Sequence, residues 1–329
     1  MTTTVGDPEM LPPHVRNTVV TVGTFDGVHR GHVDVLAHLV KRARESGLAS
    51  LLVTFAGHPL ELLRPDSAPR LLSGPDEKLS AVAETGLDYV AVLPFTRELA
   101  NHSAEQFVEL LLRRRFRMSE LLIGHDHGFG RGRAGDVETL RTLGAARGFG
   151  VDVIAPVETA DGQPVSSTRI RQALSAGNLS EAADGLGRSY AVSGRVVAGE
   201  GRGRGLGFPT LNVLPESPRK LLPPDGVYAV TVESRHGQFG GMMNLGGRPT
   251  FGDLAKTIEA HLFDASGDFY GDVVRVSFVA RLRDTQRFDG PAALMVQLGK
   301  DEAAARNALT LHAESAKLKG SMHFPPSTP

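Results

Sequence analysis

Cysteine is absent from the 329 residues. The chain therefore has no disulfide, no thiolate metal site and no cysteine nucleophile, and it suits a reducing compartment such as the cytoplasm. No apolar run approaches the roughly 18 residues that cross a bilayer. The first residues carry no basic, apolar, small-residue signal pattern, since Asp7 and Glu9 stand where the apolar stretch would be. Net charge is almost lacking too: 36 basic against 37 acidic residues leave −1. That argues against a nucleic-acid or membrane surface running over the whole chain. Lysine is scarce, at 7 of the 36 basic residues, so 29 are arginine, whose planar fork suits phosphate groups. Codon bias accounts for most surface arginines. No internal repeat is visible. The P-loop pattern is missing, because Gly299-Lys300 runs into Asp301 rather than Ser or Thr.

What is present is an ordinary globular composition, 41% hydrophobic and 22% charged. The length fits two domains at about 100–200 residues each. Residues 1–16 read as a loose tail. Strands are then expected at Val19–Gly23, Ser50–Phe55, Tyr89–Leu93, Leu121–Gly124 and Val151–Ile154. Between them lie helical patterns. His32–Arg44 puts Val33, Leu36, Ala37 and Val40 on one face and ends at Gly47, and Glu77–Glu84 precedes Gly86. Ser103 with Gln106 reads as a capping box, and Asp136 as the cap of a helix ending near Gly148. Strands alternating with helices predict a parallel sheet covered on both faces, with ligands at the C-terminal strand ends.

Near residue 187 the pattern changes. Strands follow one another at Tyr190–Val197, Val227–Val232, Gln238–Leu245, Ile258–Phe263 and Val273–Val279, with Arg235-His236-Gly237 as a turn. That predicts a small antiparallel barrel or sandwich. An Ala- and Leu-rich closing helix is expected over Pro291–Leu309, and a polar tail over 313–329.

Chemistry concentrates in three strings. Gly23-Thr24-Phe25-Asp26-Gly27-Val28-His29-Arg30-Gly31-His32 joins a strand to a helix start, where backbone donors and the helix dipole favour anions. Gly31 permits close phosphate approach, and His29 and His32 can stabilise charge on a transferring phosphorus. Zinc binding by the pair is the competing reading, without evident further ligands. Ser166-Ser167-Thr168-Arg169-Ile170-Arg171 offers hydroxyls at a helix start and an arginine one turn on. A run from Gly194 through Gly199, Glu200, Gly201, Gly203, Arg204, Gly205 and Gly207 ends at Phe208-Pro209-Thr210-Leu211-Asn212. Its bulky apolar anchor argues against a linker, and Thr210 and Asn212 offer the neutral oxygens that Mg²⁺ accepts beside nucleotide phosphates. Gly130-Arg131-Gly132-Arg133-Ala134-Gly135 fits G-x-G-x-x-G but does not follow its strand directly, so a plain glycine-rich loop is the better reading.

The first two strings resemble the nucleotidyltransferase signature. More narrowly they resemble the bacterial bifunctional riboflavin kinase/FMN adenylyltransferase (FAD synthetase) family. The third resembles that family's riboflavin kinase signature, with Leu211 in place of the usual Ala. Further matches are Gly226–Val230, Asn244–Phe251, Ile258–Leu262, Asp268–Gly271, and Gln297 with Asp301, so the likeness covers about 18–309. It implies a Rossmann-like nucleotidyltransferase domain with a parallel sheet over 17–186, and an antiparallel riboflavin-kinase barrel with a closing helix over 187–312. It implies that the second domain phosphorylates riboflavin with ATP and Mg²⁺, and that the first joins FMN to AMP from ATP, giving FAD and pyrophosphate. In the first domain it assigns ATP to Gly23, Phe25, His29, Gly31, His32, Ser167, Thr168 and Arg171. In the second it assigns ATP to Gly199, Gly203, Arg204, Thr210 and Asn212, metal to Thr210 and Asn212, and the base to Glu259. Flavin contacts are implied at Asp126, Phe129, Arg248, Phe251 and Glu259. His261 shares the face of Glu259 and reads as structural.

This chain departs from the family at Thr24, Ala56-Gly57, His125-Asp126-His127 and Thr285. Two alternatives to the bifunctional enzyme therefore stand at this point. One is a kinase whose first domain no longer uses FMN. The other is a flavin-binding regulator without activity.

Overall fold

The computed structural model describes residues 2–6, 11–124, 128–159, 161–199, 202–247 and 256–321. The chain divides into two compact units, residues 1–170 with 185–187 and residues 171–184 with 188–329.

The first unit is built on six parallel strands: β1 (Thr3–Val5), β2 (Thr18–Val22), β3 (Ala49–Phe55), β4 (Tyr89–Leu93), β5 (Met118–Gly124) and β6 (Gly150–Ile154). Their order is β1-β4-β3-β2-β5-β6. Its helices are α1 (Arg30–Ser46), α2 (Pro59–Leu63), α3 (Pro75–Ala83), α4 (Arg97–Asn101), α5 (Ala104–Gln106, continued by π-helical Phe107–Arg115), α6 (Val137–Arg147) and the start of α7 (Ser167–Ser175). Alternate residues of each strand serve opposite faces. Val20, Val22, Leu51, Val53, Leu121 and Ile123 pack with Phe107, Leu112 and Leu140 on one side. Val19, Leu52, Val90 and Leu122 pack with Leu36, Leu39, Val40 and Ala43 of α1 and Val82 of α3 on the other. Burial on both faces explains why these strands read as unbroken apolar runs. The buried stripe of α1 is turned from the expected one, for it includes Leu39 and Ala43 while Val33 is exposed.

Residues 2–6 and 11–16 are not a loose tail. β1 pairs in parallel with β4 through Thr3, Thr4 and Val5, and Leu11 and Val15 are buried in the sheet's core. Arg115 and Arg117 hold the segment by donating to carbonyls of Gly6, Pro12 and Val15.

The second unit is a closed barrel of antiparallel strands: β7 (Ala191–Val197), β8 (Leu211–Pro215), β9 (Gly226–Ser234), β10 (Gly237–Gly247), β11 (Lys256–Leu262) and β12 (Val273–Arg283). It also holds α8 (Leu179–Leu186, to Asp184), the short α9 (Arg202–Gly205) and α10 (Pro291–Ser321). α10 continues past the expected end at Leu309, because Ala, Leu, Glu and Lys propagate a helix without needing a partner. It seats Ala305, Ala308 and Leu309 against Ala229, Met242 and Phe263. Gly240 makes room for it, since a Cβ there would lie 2.8 Å from Leu309 Cδ1.

Candidate active sites

The order of the first sheet reverses direction at β2, whose neighbours are β3 on one side and β5 on the other. Chains leaving the C-terminal ends of such strands diverge and open a crevice. The loop from β2 to α1 lies there. Gly23 N–H continues the sheet by donating to Val53 O at 3.0 Å. The chain then turns through Phe25, Gly27 and Val28, all with positive φ (48°, 84° and 40°). Gly27 is obligatory, since a Cβ would lie 2.9 Å from Leu72 Cδ1. Val28 is β-branched and fully buried at φ 40°, so the turn is strained and is held by its surroundings.

His29 caps α1. Its Nδ1 accepts from His32 N–H at 3.3 Å, so the neutral ring carries its hydrogen on Nε2. The His29 and His32 rings stack with centroids 3.6 Å apart, and Phe25 covers His32 at 4.6 Å. Gly31 sits against the His29 ring, where a Cβ would lie 3.3 Å from Cε1. Two imidazoles therefore stand in register at a helix N-terminus, the place where a phosphate gains most from backbone donors.

The serine-threonine string starts α7. Ser166 Oγ accepts from Arg169 N–H, and Ser167 Oγ donates to Asp26 O at 2.9 Å. That bond ties α7 to the His29 turn. Thr168 is exposed in the first turn. Arg171 follows Ser167 by four residues and so shares its side of the helix. Arg169 is engaged by Asp161 at 2.6 Å. This hydrogen bond, with one from Thr159, holds the Asp161 carboxyl down at about 2.

Asp26 and Lys78 belong to the site and were not singled out in the sequence. The Asp26 carboxylate accepts from Leu72 N–H, Ser73 N–H and Ser73 Oγ at 3.0–3.2 Å, and Ser73 Oγ accepts from Gly27 N–H. Lys78, on α3, is 9% exposed. The glycine-rich loop 130–135 proves to be packing, not a dinucleotide fingerprint. A Cβ at Gly130 would lie 2.8 Å from Ala104 N, and one at Gly135 2.9 Å from Phe129 O. Phe129, an implied flavin contact, is buried against Phe107 and anchors that loop. Asp126, with its flanking histidines, lies outside the described residues, as do Arg248 and Phe251.

In the barrel, register brings the second set together. Glu259 on β11 pairs with Asn212 on β8 and with Asn244 on β10, so the three form a polar row across three strands. Their neighbours Val213, Ile258, Ala260, Met243 and Leu245 are buried, which turns the row away from the barrel interior. Directly opposed Cβ atoms lie about 5 Å apart. Gly199 presses on Asn212, for a Cβ there would lie 2.0 Å from Nδ2. Gly203 is packed under Phe208, accepting from Leu206 and Phe208 N–H, and Gly207 takes φ 81°. The stretch is therefore a folded cradle. Arg204 falls on α9. His261 Nδ1 donates to Pro209 O at 2.8 Å and its ring meets Phe208, so it supports Thr210. The Asn212 amide oxygen opposite the Glu259 carboxylate, with the Thr210 hydroxyl two residues before it on the chain, offers donors of the kind a hard cation accepts.

Comparison with known proteins matches both halves. A family model for FAD synthetase covers residues 11–169, and one for riboflavin kinase covers 186–309. Bifunctional riboflavin kinase/FMN adenylyltransferase of Escherichia coli K12 is 40% identical over 290 residues, 88% of this chain and 91% of that protein. Its counterpart in Pseudomonas fluorescens is 40% identical over 90% of this chain and 94% of that one. A Streptococcus pneumoniae crystal structure described as a macrolide-efflux protein superposes with TM-score 0.81 at 31% identity, over 92% of this chain and 99% of that one. Among the described residues no helix is long and apolar enough to cross a membrane. With both models in order along one chain and identity sustained through each, the chain belongs to the bifunctional riboflavin kinase/FMN adenylyltransferase family.

Proposed function

We propose that residues 187–312 phosphorylate riboflavin to FMN with ATP, and that residues 17–186 adenylylate FMN to FAD, releasing pyrophosphate. The observation that carries the second assignment is the stacked His29–His32 pair at the head of α1, set where the sheet reverses order. An FMN phosphate oxygen attacks the α-phosphorus of ATP and the bond to pyrophosphate breaks, so no protein nucleophile is needed. His29 Nε2–H and the α1 backbone donors stabilise the charge that builds on phosphorus. Ser167, Thr168 and Arg171 hold the triphosphate.

In the barrel Glu259 accepts the proton of the ribityl 5′-hydroxyl as that oxygen attacks the γ-phosphorus of a second ATP, the bond from that phosphorus to the bridging oxygen breaks and ADP leaves. Thr210 and Asn212 would hold Mg²⁺, which when bound neutralises phosphate charge. Catalysis at both sites is positioning and electrostatics. Riboflavin, FMN and ATP are the partners, and ATP use with a cysteine-free chain supports a cytoplasmic setting.

Chromatographic separation of flavins tests the division. The chain given riboflavin, ATP and Mg²⁺ is expected to make FMN and then FAD. His29→Ala should lower FAD formation about 100-fold or more while FMN formation persists. Glu259→Gln should do the converse, retaining FAD formation from supplied FMN. Loss of FMN formation in His29→Ala, or of FAD formation from supplied FMN in Glu259→Gln, with the fold intact, would overturn the assignment.

A further inference from the structure

The turn bearing His29 is clamped from outside by residues 72–78. Leu72 and Ser73 grip Asp26, as described. From α3, Lys78 Nζ reaches under the same turn and donates to Phe55 O at 2.6 Å, Thr54 Oγ1 at 3.4 Å and Thr24 O at 3.5 Å. Thr54 Oγ1 itself donates to Thr24 O at 3.1 Å. An ammonium has three hydrogens, and here three oxygens from the end of β3 and the start of the turn surround it. It borders a hollow lined by Thr24, Asp26, Gly57, His58, Ser73 and Gly74. With its three hydrogens directed at Phe55 O, Thr54 Oγ1 and Thr24 O, Lys78 has none left to grip a nucleotide directly.

A buried ammonium is an expensive way to tie two loops, since an apolar residue of similar volume is often neutral or stabilising in its place. We propose that Lys78 is a positioning residue for adenylyl transfer: its ammonium fixes the Thr24–His29 turn against β3 and so sets His29 at the reacting phosphate. The proposal rests on reading that turn as the adenylyltransferase site. Burial pulls the Lys78 amine down to about 8, with Asp26 opposing. The titratable groups around it are Asp26 across the turn, His58 at the head of α2, and Glu77 beside it on α3. A neutral amine has one hydrogen fewer to give, so the clamp loosens as pH rises.

The test follows FAD formation from FMN and FMN formation from riboflavin in the full chain, for the wild type, Lys78→Met and His29→Ala. Lys78→Met is expected to lower kcat for FAD formation about tenfold or more, with KM for ATP changed less than about threefold, because geometry rather than affinity is lost. FMN formation and, at pH 7, the calorimetric midpoint should hold. In the wild type kcat for FAD formation should decline through pH 8, and this limb should vanish in Lys78→Met. A wild-type profile flat from pH 7 to 9 overturns the proposal whether or not the variant folds. So does a variant with wild-type kcat, or one that keeps the limb. If His29→Ala also leaves FAD formation intact, the site itself is misassigned. If His29→Ala abolishes it and Lys78→Met does not, only the role of Lys78 fails.

Discussion

At Gly199 a side chain would begin where Asn212 Nδ2 already lies. Gly199→Ala must push Asn212 out of the row it forms with Glu259. We expect FMN formation to fall about 100-fold while FAD formation from supplied FMN continues, measured by the same flavin separation. Lys78 gives a second prediction at this scale. Its amine titrates near 8 in the folded chain and at its ordinary 10.5 when unfolded. Between those values the unfolded state binds more protons, so this residue's contribution to stability rises with pH across that window and is flat below it. Calorimetry of wild type against Lys78→Met from pH 7 to 10.5 should show the difference between them growing in favour of the wild type. Legibility differs sharply among these residues. His29, His32 and Glu259 stand inside strings whose spacing carries their meaning. Asp26 meets partners 46 and 47 residues away and Lys78 meets Thr24 54 residues away. Contacts at such separations have no periodic trace in a sequence.

Among the elements, strands with continuous apolar runs were readable to within three residues at their starts, since burial on both faces leaves an unmistakable composition. β1 and β8 were not read. β1 has three residues, too few for a period to show, and Leu211–Pro215 is hidden behind the glycines that precede it. The capping box of Ser103 and Gln106 formed as expected, yet the helix it opens widens into π geometry, with Phe116 N–H reaching Leu111 O. The N-terminal segment depends on guanidinium groups about a hundred residues downstream. Arg117→Ala removes both bonds from Arg117 Nη1 and should cost about 2 kcal/mol, read from urea unfolding. α10 is fastened by Asp301, 3% exposed, which accepts two bonds from Arg283 at 2.8 and 2.6 Å and one from Gln297. Asp301→Ala leaves Arg283 without that partner. We expect it to destabilise the barrel unit by about 3 kcal/mol, seen by calorimetry.

The whole molecule joins two ways of making a site. The first unit uses an open sheet, whose reversal of order creates a crevice before any side chain is specified. The second uses a closed barrel, and its polar row exists because three strands share one register. The first was legible in the alternation of strands and helices. The second needed β8, and so needed the structure.

Closure also sets an order of events during synthesis. A chain leaves the ribosome N-terminus first, and domains fold as units as they emerge. The open sheet has all six strands once Ile154 is out. The barrel cannot seal until Val273–Arg283 arrives to bridge β7 and β9, some 80 residues after β7 itself. During that interval the strands from β7 to β11 form an unclosed ribbon with two unpaired edges. This half of the chain is therefore the one most exposed to premature termination and to the need for a chaperone.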